Sequence, residues 1–206
     1  MIDLDKAIEQ GISGKGLETS IARQLLDPNT VPLLELLNAS FKIRRHHCGM
    51  GVKIHILNNA QNGKCPEDCS YCSQGQSSDP KAIQDYPMKS DDEIMAEAKR
   101  AHESGAFRYC MVFAGRGPSN GRVRHLSKLI TEIKNKYPLQ ICVSPGLLRD
   151  GQAEMLKEAG LDRLNHNLNT TGENYSQICK THTFEDRLRT LSYANSAELE
   201  ICSGMI

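Results

Sequence analysis

The chain has 206 residues, in which 25 Lys and Arg balance 25 Asp and Glu. That neutrality removes the electrostatic case for nucleic acid or an anionic membrane as partner, and no run approaches the ~18 apolar residues of a membrane span. Trp is absent and aromatic residues make up 5% of the chain, which speaks against stacking platforms for RNA or sugars, while the length suffices for the core of one or two domains. The opening Met1-Ile2-Asp3-Leu4-Asp5-Lys6 lacks the basic and apolar regions of a secretory signal. The expectation is a reduced, soluble, cytoplasmic protein whose cysteines are thiols rather than a disulfide framework.

Residues 1–48 predict a helical segment. Apolar residues recur at helical spacing over Leu17–Leu26 and Val31–Arg45, among them Leu33, Leu34, Leu36, Leu37 and Phe41. Pro32 falls near the start of the second run, where a missing N–H costs little. Lys42, Arg44, Arg45, His46 and His47 close it with charge that complements the helix dipole. Cys48 has no partner at metal spacing and reads as structural.

From residue 49 to residue 206 strand and helix signals alternate as a second domain. Strands are predicted over Val52–Asn58, Phe107–Phe113, Leu139–Val143, Leu161–Leu168 and Leu199–Cys202. Ser90 and Glu93 form a capping box that opens a helix ending near Gly105. Further helices run over Gly121–Tyr137, Asp150–Ala159 and, behind a Thr-x-x-Asp cap, Thr183–Ala194. Such alternation implies parallel βαβ units of an α/β fold.

Between the first strand and its helix lies Lys64-Cys65-Pro66-Glu67-Asp68-Cys69-Ser70-Tyr71-Cys72, a C-x3-C-x2-C spacing. A structural zinc site usually shows two paired units supplying four ligands, and no second pair of that spacing is present. A [4Fe–4S] cube held by protein alone needs four thiolates; Cys65, Cys69 and Cys72 leave one iron open. The S-adenosylmethionine radical enzymes use this arrangement, chelating the open iron with the amino-acid end of S-adenosylmethionine. Their pattern places an aromatic residue before the third cysteine, the place of Tyr71.

Strand alternation adds a second set of thiols. Arg108, Cys110 and Val112 share one face of the second strand, Gln140, Cys142 and Ser144 one face of the third, and Glu200 and Cys202 one face of the fifth. Arg163, Asn165, Asn167 and Asn169 share a face of the fourth strand and its exit. A lone strand cysteine is usually a small buried hydrophobe, but three on the polar face, opposite Leu, Ile, Val and Met, point to a second metal–sulfur site. If the sheet curls into a barrel, this face becomes a ligand cavity where ordinary barrels carry branched apolar residues. Cys179 lies outside the pattern and reads as structural.

From Val52 to Ile206 the chain resembles the biotin synthase family, on the cysteine loop Asn62–Cys72, Phe107-Arg108-Tyr109-Cys110-Met111, Asn165-His166-Asn167-Leu168-Asn169-Thr170 and Ile201-Cys202-Ser203-Gly204. The resemblance implies a (β/α)8 barrel and radical insertion of sulfur into dethiobiotin to form biotin. By it, Cys65, Cys69 and Cys72 hold the [4Fe–4S] cluster that cleaves S-adenosylmethionine, and Cys110, Cys142 and Cys202 hold a sulfur-donating [2Fe–2S] cluster with Arg108 beside it. Asn167 matches a contact to substrate and S-adenosylmethionine, Asn169 a ribose contact, and Tyr71 belongs to the cofactor loop. The resemblance further implies an electron donor such as flavodoxin or ferredoxin, and a homodimer at full length.

Two departures stand out. Position 169 is Asn where the best-known members carry Asp, which keeps a hydrogen-bond acceptor but loses its charge. Five strand signals are present where a barrel needs eight, and the family's fourth [2Fe–2S] ligand, an Arg on a later strand, has no counterpart. The expectation is a fragment of a longer product, inactive alone. The competing readings are another radical barrel enzyme, which would not need Cys110, Cys142 and Cys202, and a non-catalytic iron–sulfur protein.

Overall fold

The computed structural model describes residues 2–63, 65–76, 78–79 and 83–204. They form two compact units, Met1–Val52 and Lys53–Ile206.

The first unit is helical, with α1 (Leu4–Ile12), α2 (Thr19–Leu25) and α3 (Leu33–Cys48). Helix α1 was not expected. Asp3 starts it by accepting the backbone N–H of Lys6 at 3.0 Å, and it packs Ala7 with Leu25 and Val31 into a small core. Leu36 joins that core, whereas Leu33, Leu34, Leu37 and Phe41 stay exposed. The basic end of α3 does act as a cap. The Arg44 guanidinium donates to the carbonyls of Gly49 and Gly51, both at 2.8 Å. Cys48 is exposed, so it fills no core.

The second unit is a five-stranded parallel sheet in the order β1-β2-β3-β4-β5: β1 (His55–Gln61), β2 (Arg108–Phe113), β3 (Gln140–Ser144), β4 (Arg163–Asn165) and β5 (Glu200–Cys202). Helices α4 (Asp91–Glu103), α5 (Asn120–Lys136), α6 (Gln152–Glu158) and α8 (Phe184–Ser196) alternate with the strands, and a short α7 (Tyr175–Ile178) precedes α8. Both expected capping boxes form, Ser90 with Glu93 and Thr183 with Asp186. Strand β1 runs three residues later than expected. Its pairing starts where His55 meets Arg108, and the carbonyl of Ile54 accepts the N–H of Phe107 at 2.8 Å. Strand β4 is shorter than expected, because the chain leaves the sheet after Asn165.

One face of the sheet makes the core. Tyr109, Met111, Ile141, Val143 and Leu164 are fully buried against Ile94, Val123, Ile130, Ile133 and Leu156 of the helices. Each such side chain contributes roughly 1.5–3 kcal/mol. The polar atoms in this layer are paired: Asn58 donates to the Tyr109 hydroxyl at 2.6 Å and accepts from Lys89 at 2.8 Å. With that face filled, the residues facing the other way are free to bind ligands.

Candidate functional site

A cleft with about 790 Å³ of empty space, open solvent included, lies at the C-terminal ends of the strands. Ligand sites of parallel α/β sheets occur there, because the loops that leave the strands converge. All three loop cysteines line it, together with Ala114–Arg116 after β2, Gly146 and Leu147 after β3, and Asn165, His166, Asn167 and Asn169 at β4. Lys64 lies outside the described residues.

The cysteine loop is wound on its own backbone. The N–H of Cys72 donates to the Cys69 carbonyl and that of Gly75 to the Cys72 carbonyl, both at 3.0 Å, and the N–H of Gln76 donates to the Glu67 carbonyl at 2.9 Å. Gly75 permits this. A Cβ there would stand 3.1 Å from the Cys69 carbonyl, 3.2 Å from that of Cys72 and 3.4 Å from that of Glu67. The Cys65 thiol is pushed up by burial, and the backbone N–H groups of Glu67 and Gly115 that point at its sulfur oppose this. Such donors suit a thiolate in a cluster.

Residue 169 ties the exit of β4 to this loop. Asn169 is buried, its amide donates to the Tyr71 hydroxyl, and its N–H donates to the Gly204 carbonyl at 3.0 Å. Its φ of 70° breaks the strand alternation assumed from the sequence. Asn nevertheless lines the cleft at 165, 167 and 169, whereas Arg163 turns to Glu200. Arg187 donates to the Asn167 carbonyl at 2.8 Å and to the Tyr175 hydroxyl, bringing a cation to the cleft wall.

Several residues in and beside the cleft had no functional role in the sequence reading. Glu67 and Asp68, inside the first cysteine interval, anchor the loop to residues 179–182. The Asp68 carboxylate accepts from the N–H groups of Lys180 and Thr181 at 2.9 and 3.1 Å, which holds it well below the usual carboxylate range. Burial pushes the Glu67 carboxyl up, but hydrogen bonds from Thr181 (2.8 Å) and His182 outweigh it and lower it overall. Burial beside Cys179 pushes the Cys69 thiol up to about 11. Cys179, expected to be structural, is buried with its sulfur 3.8 Å from that of Cys69. His166 faces the cleft with its Nε2 unpartnered among the described residues; burial first, then the Arg187 and His182 charges, hold it down to about 3.

The second thiol set lies on the same non-core face. Cys110 and Cys142 are register partners on β2 and β3, and Cys202, paired with Asn165, lies two residues beyond Glu200, which shares their register through Arg163. The Cys142 thiol is pushed up by its hydrogen bond with Cys110, by burial, and by the neighbouring sulfurs of Cys110 and Cys202. Cys110 is lowered to about 7 by the Cys142 thiol, with Arg108 and Arg163 adding to it. Arg108 is buried and donates to Gln140 and, at 2.7 Å, to Glu200, which Arg163 meets at 2.9 Å. The Arg108 Nε has no partner among the described residues.

Residues 62–206 match the model of the Radical SAM superfamily. The chain belongs to that superfamily. Membership implies an iron–sulfur cluster and S-adenosylmethionine. Over 199 residues the chain is 52% identical to a biotin synthase of Magnetococcus marinus, covering 96% of this chain and 61% of that protein. It is 49% identical to a biotin synthase of Acaryochloris marina, covering 92% and 54%. The chain thus spans little more than half the length of these curated relatives. The crystal structure of a methylornithine synthase superposes with a TM-score of 0.82 at 22% identity, over 98% of this chain and 58% of that one, and so shares the fold. For the iron–sulfur cluster of a radical SAM protein the loop residues fit: three thiols line one cleft around a glycine-dependent turn, while three more thiols share a sheet face beside Arg108.

Proposed function

We propose that this chain carries the cofactor-binding part of a biotin synthase. In this reading Cys65, Cys69 and Cys72 hold a [4Fe–4S] cluster, Cys110, Cys142 and Cys202 contribute to a [2Fe–2S] cluster, and dethiobiotin is the substrate. The carrying observation is the second thiol set. A radical SAM enzyme needs only the loop cysteines, whereas thiols paired in register across β2 and β3, with Cys202 beside them, suit a cluster that gives up sulfur. The 52% identity to the Magnetococcus marinus enzyme supports the same reading.

When bound, the first cluster supplies one-electron reduction of the S-adenosylmethionine sulfonium, and so a carbon radical able to take hydrogen from unactivated C–H bonds. The electron would come from a donor of flavodoxin or ferredoxin type. The chain's own residues bind and orient. Three loop thiols leave one iron without a protein ligand, so a small molecule can complete it. Asn169, fixed against Tyr71, would present its amide oxygen to a ribose hydroxyl, and Asn167 lines the same cleft. Arg187 offers a cation to a carboxylate. Arg108 and Arg163 put positive charge beside Cys110, which favours its thiolate.

The test is anaerobic turnover of the gene product that carries this chain, with reductant, S-adenosylmethionine and deuterated dethiobiotin. Deuterium should enter 5′-deoxyadenosine and biotin should form. Cys142→Ala should keep S-adenosylmethionine cleavage and lose biotin. Cleavage with no deuterium transfer and no biotin would reject dethiobiotin as the substrate.

A further inference from the structure

Cys179 belongs to neither proposed cluster. Its sulfur is 3.8 Å from Cys69 Sγ and 3.3 and 3.8 Å from Nδ1 and Nε2 of His182. The ligand atoms of the three buried residues all fall within 4.8 Å of one another. Two sulfurs at ~2.3 Å from one tetrahedral zinc stand about 3.8 Å apart, whereas disulfide sulfurs stand at about 2.05 Å. The observed spacing is that of two ligands on one ion.

The surroundings complete the case. Glu67 holds the Nδ1 side of the His182 ring, which leaves Nε2 as the donor, the carboxylate–histidine–metal arrangement that fixes ring orientation. Glu67 is itself held by the Thr181 hydroxyl at 2.8 Å and by Arg116 at 3.3 Å. The Asp68 carboxylate accepts from Lys180 and Thr181 and, at 3.2 Å, from the Cys179 thiol itself. It fixes the segment bearing Cys179 and is not the fourth ligand, a position that solvent would take.

We propose that Cys69, Cys179 and His182 form a mononuclear site for a borderline-soft divalent ion of the zinc type, which shares Cys69 with the cysteine loop. Binding sends the two thiol protons to solvent and takes His182 neutral. A Cys69 sulfur committed to this ion is withdrawn from the loop, so zinc and the loop cluster exclude each other. The site needs only the three side chains. The exclusion rests on the proposed role of Cys69 as a cluster ligand.

The experiment titrates the iron-free, reduced, full chain with zinc against a chromophoric chelator, with cobalt(II) as the spectroscopic reporter. One zinc per chain is expected, and cobalt should show thiolate charge transfer with tetrahedral d–d bands. Cys179→Ala, the near-isosteric Cys179→Ser and His182→Asn should each lose tight zinc while keeping the unfolding transition of the parent. Cys65→Ala and Cys72→Ala should keep zinc, and Glu67→Gln should weaken it roughly 10–100-fold. Loss of zinc from Cys65→Ala as complete as from Cys179→Ala would place the ion in the loop and overturn the site, as would tight zinc in Cys179→Ala. A second arm reconstitutes with iron and sulfide in the presence of equimolar zinc. Cluster yield should fall in the parent and recover in Cys179→Ala. Cluster formation with no zinc binding in the first arm would refute the zinc site and leave the cluster reading intact. Tight zinc through Cys179 with no cluster even without added zinc would do the reverse.

Discussion

Asn169 offers a sharp test because two separable energies meet there. Its φ of 70° is in the left-handed region, and its buried amide donates to Tyr71. Left-handed backbone costs a residue with a Cβ roughly 1–2 kcal/mol, less for Asn, whose short polar side chain bonds locally. The hydrogen bond is worth a net of about 0.5–1.5 kcal/mol. Asn169→Ala loses both compensations and should destabilise by about 2–3 kcal/mol. Asn169→Gly loses the bond but not the backbone fit, and should cost about 1–2 kcal/mol including its extra unfolded-state entropy. Asn169→Asp accepts from the Tyr71 hydroxyl where Asn donated, tolerates the same φ, and should stay within about 1 kcal/mol of the parent. At ~2–4 °C per kcal/mol for a chain of this size, thermal unfolding by circular dichroism should rank Asn and Asp above Gly and Gly above Ala. Calorimetric titration of S-adenosylmethionine into each reconstituted variant reads the ribose contact separately. An Ala variant as stable as the Gly variant would refute the strain argument.

Gly75→Ala puts a Cβ 3.1 Å from the Cys69 carbonyl and should cost about 1–3 kcal/mol, with iron retained by the loop falling by at least half; normal iron content would show that the turn yields. In the gene product carrying this chain, Cys65→Ala should remove the [4Fe–4S] absorption and spare the second cluster, while Cys110→Ala should do the reverse. Loss of both signals in either variant would contradict two separate ligand sets. Burial holds His166 down to about 3 from 6.5, so the folded chain keeps it neutral where the unfolded chain protonates it. Its contribution is complete above pH ~6.5 and is lost as pH falls towards 3, at up to ~1.4 kcal/mol per pH unit. Urea unfolding of His166→Gln between pH 6.5 and 4 should show a flatter slope than the parent, and equal slopes would count against this residue as the cause.

The features written in short-range chemistry were legible without coordinates. The Ser90 and Thr183 boxes need residues three apart, and both helices start there. Alternation along β2 and β3 placed Cys110 and Cys142 on one face, where register makes them neighbours. Helix α1 carried a readable signal, an Asp3 cap before Leu4, Ala7 and Ile8, that the apolar runs after it overshadowed. Other features have no local signature. The Cys69–Cys179 approach joins residues 110 apart and the Glu67–His182 contact residues 115 apart, so composition could not distinguish Cys179 from a packing thiol. Strand β4 looked longer because Arg163, Asn165, Asn167 and Asn169 fall at every second position, but Asn169 turns left-handed to reach Tyr71 and Gly204.

The proposed function stands on Cys65, Cys69 and Cys72 holding a [4Fe–4S] cluster with one iron free for S-adenosylmethionine. The most direct measurement is electron paramagnetic resonance of the anaerobically reconstituted, reduced chain with and without S-adenosylmethionine. One oxygen-labile cluster per loop is expected, its signal shifting when S-adenosylmethionine is added and vanishing in Cys65→Ala. A cluster whose spectrum is identical with and without S-adenosylmethionine would contradict that function.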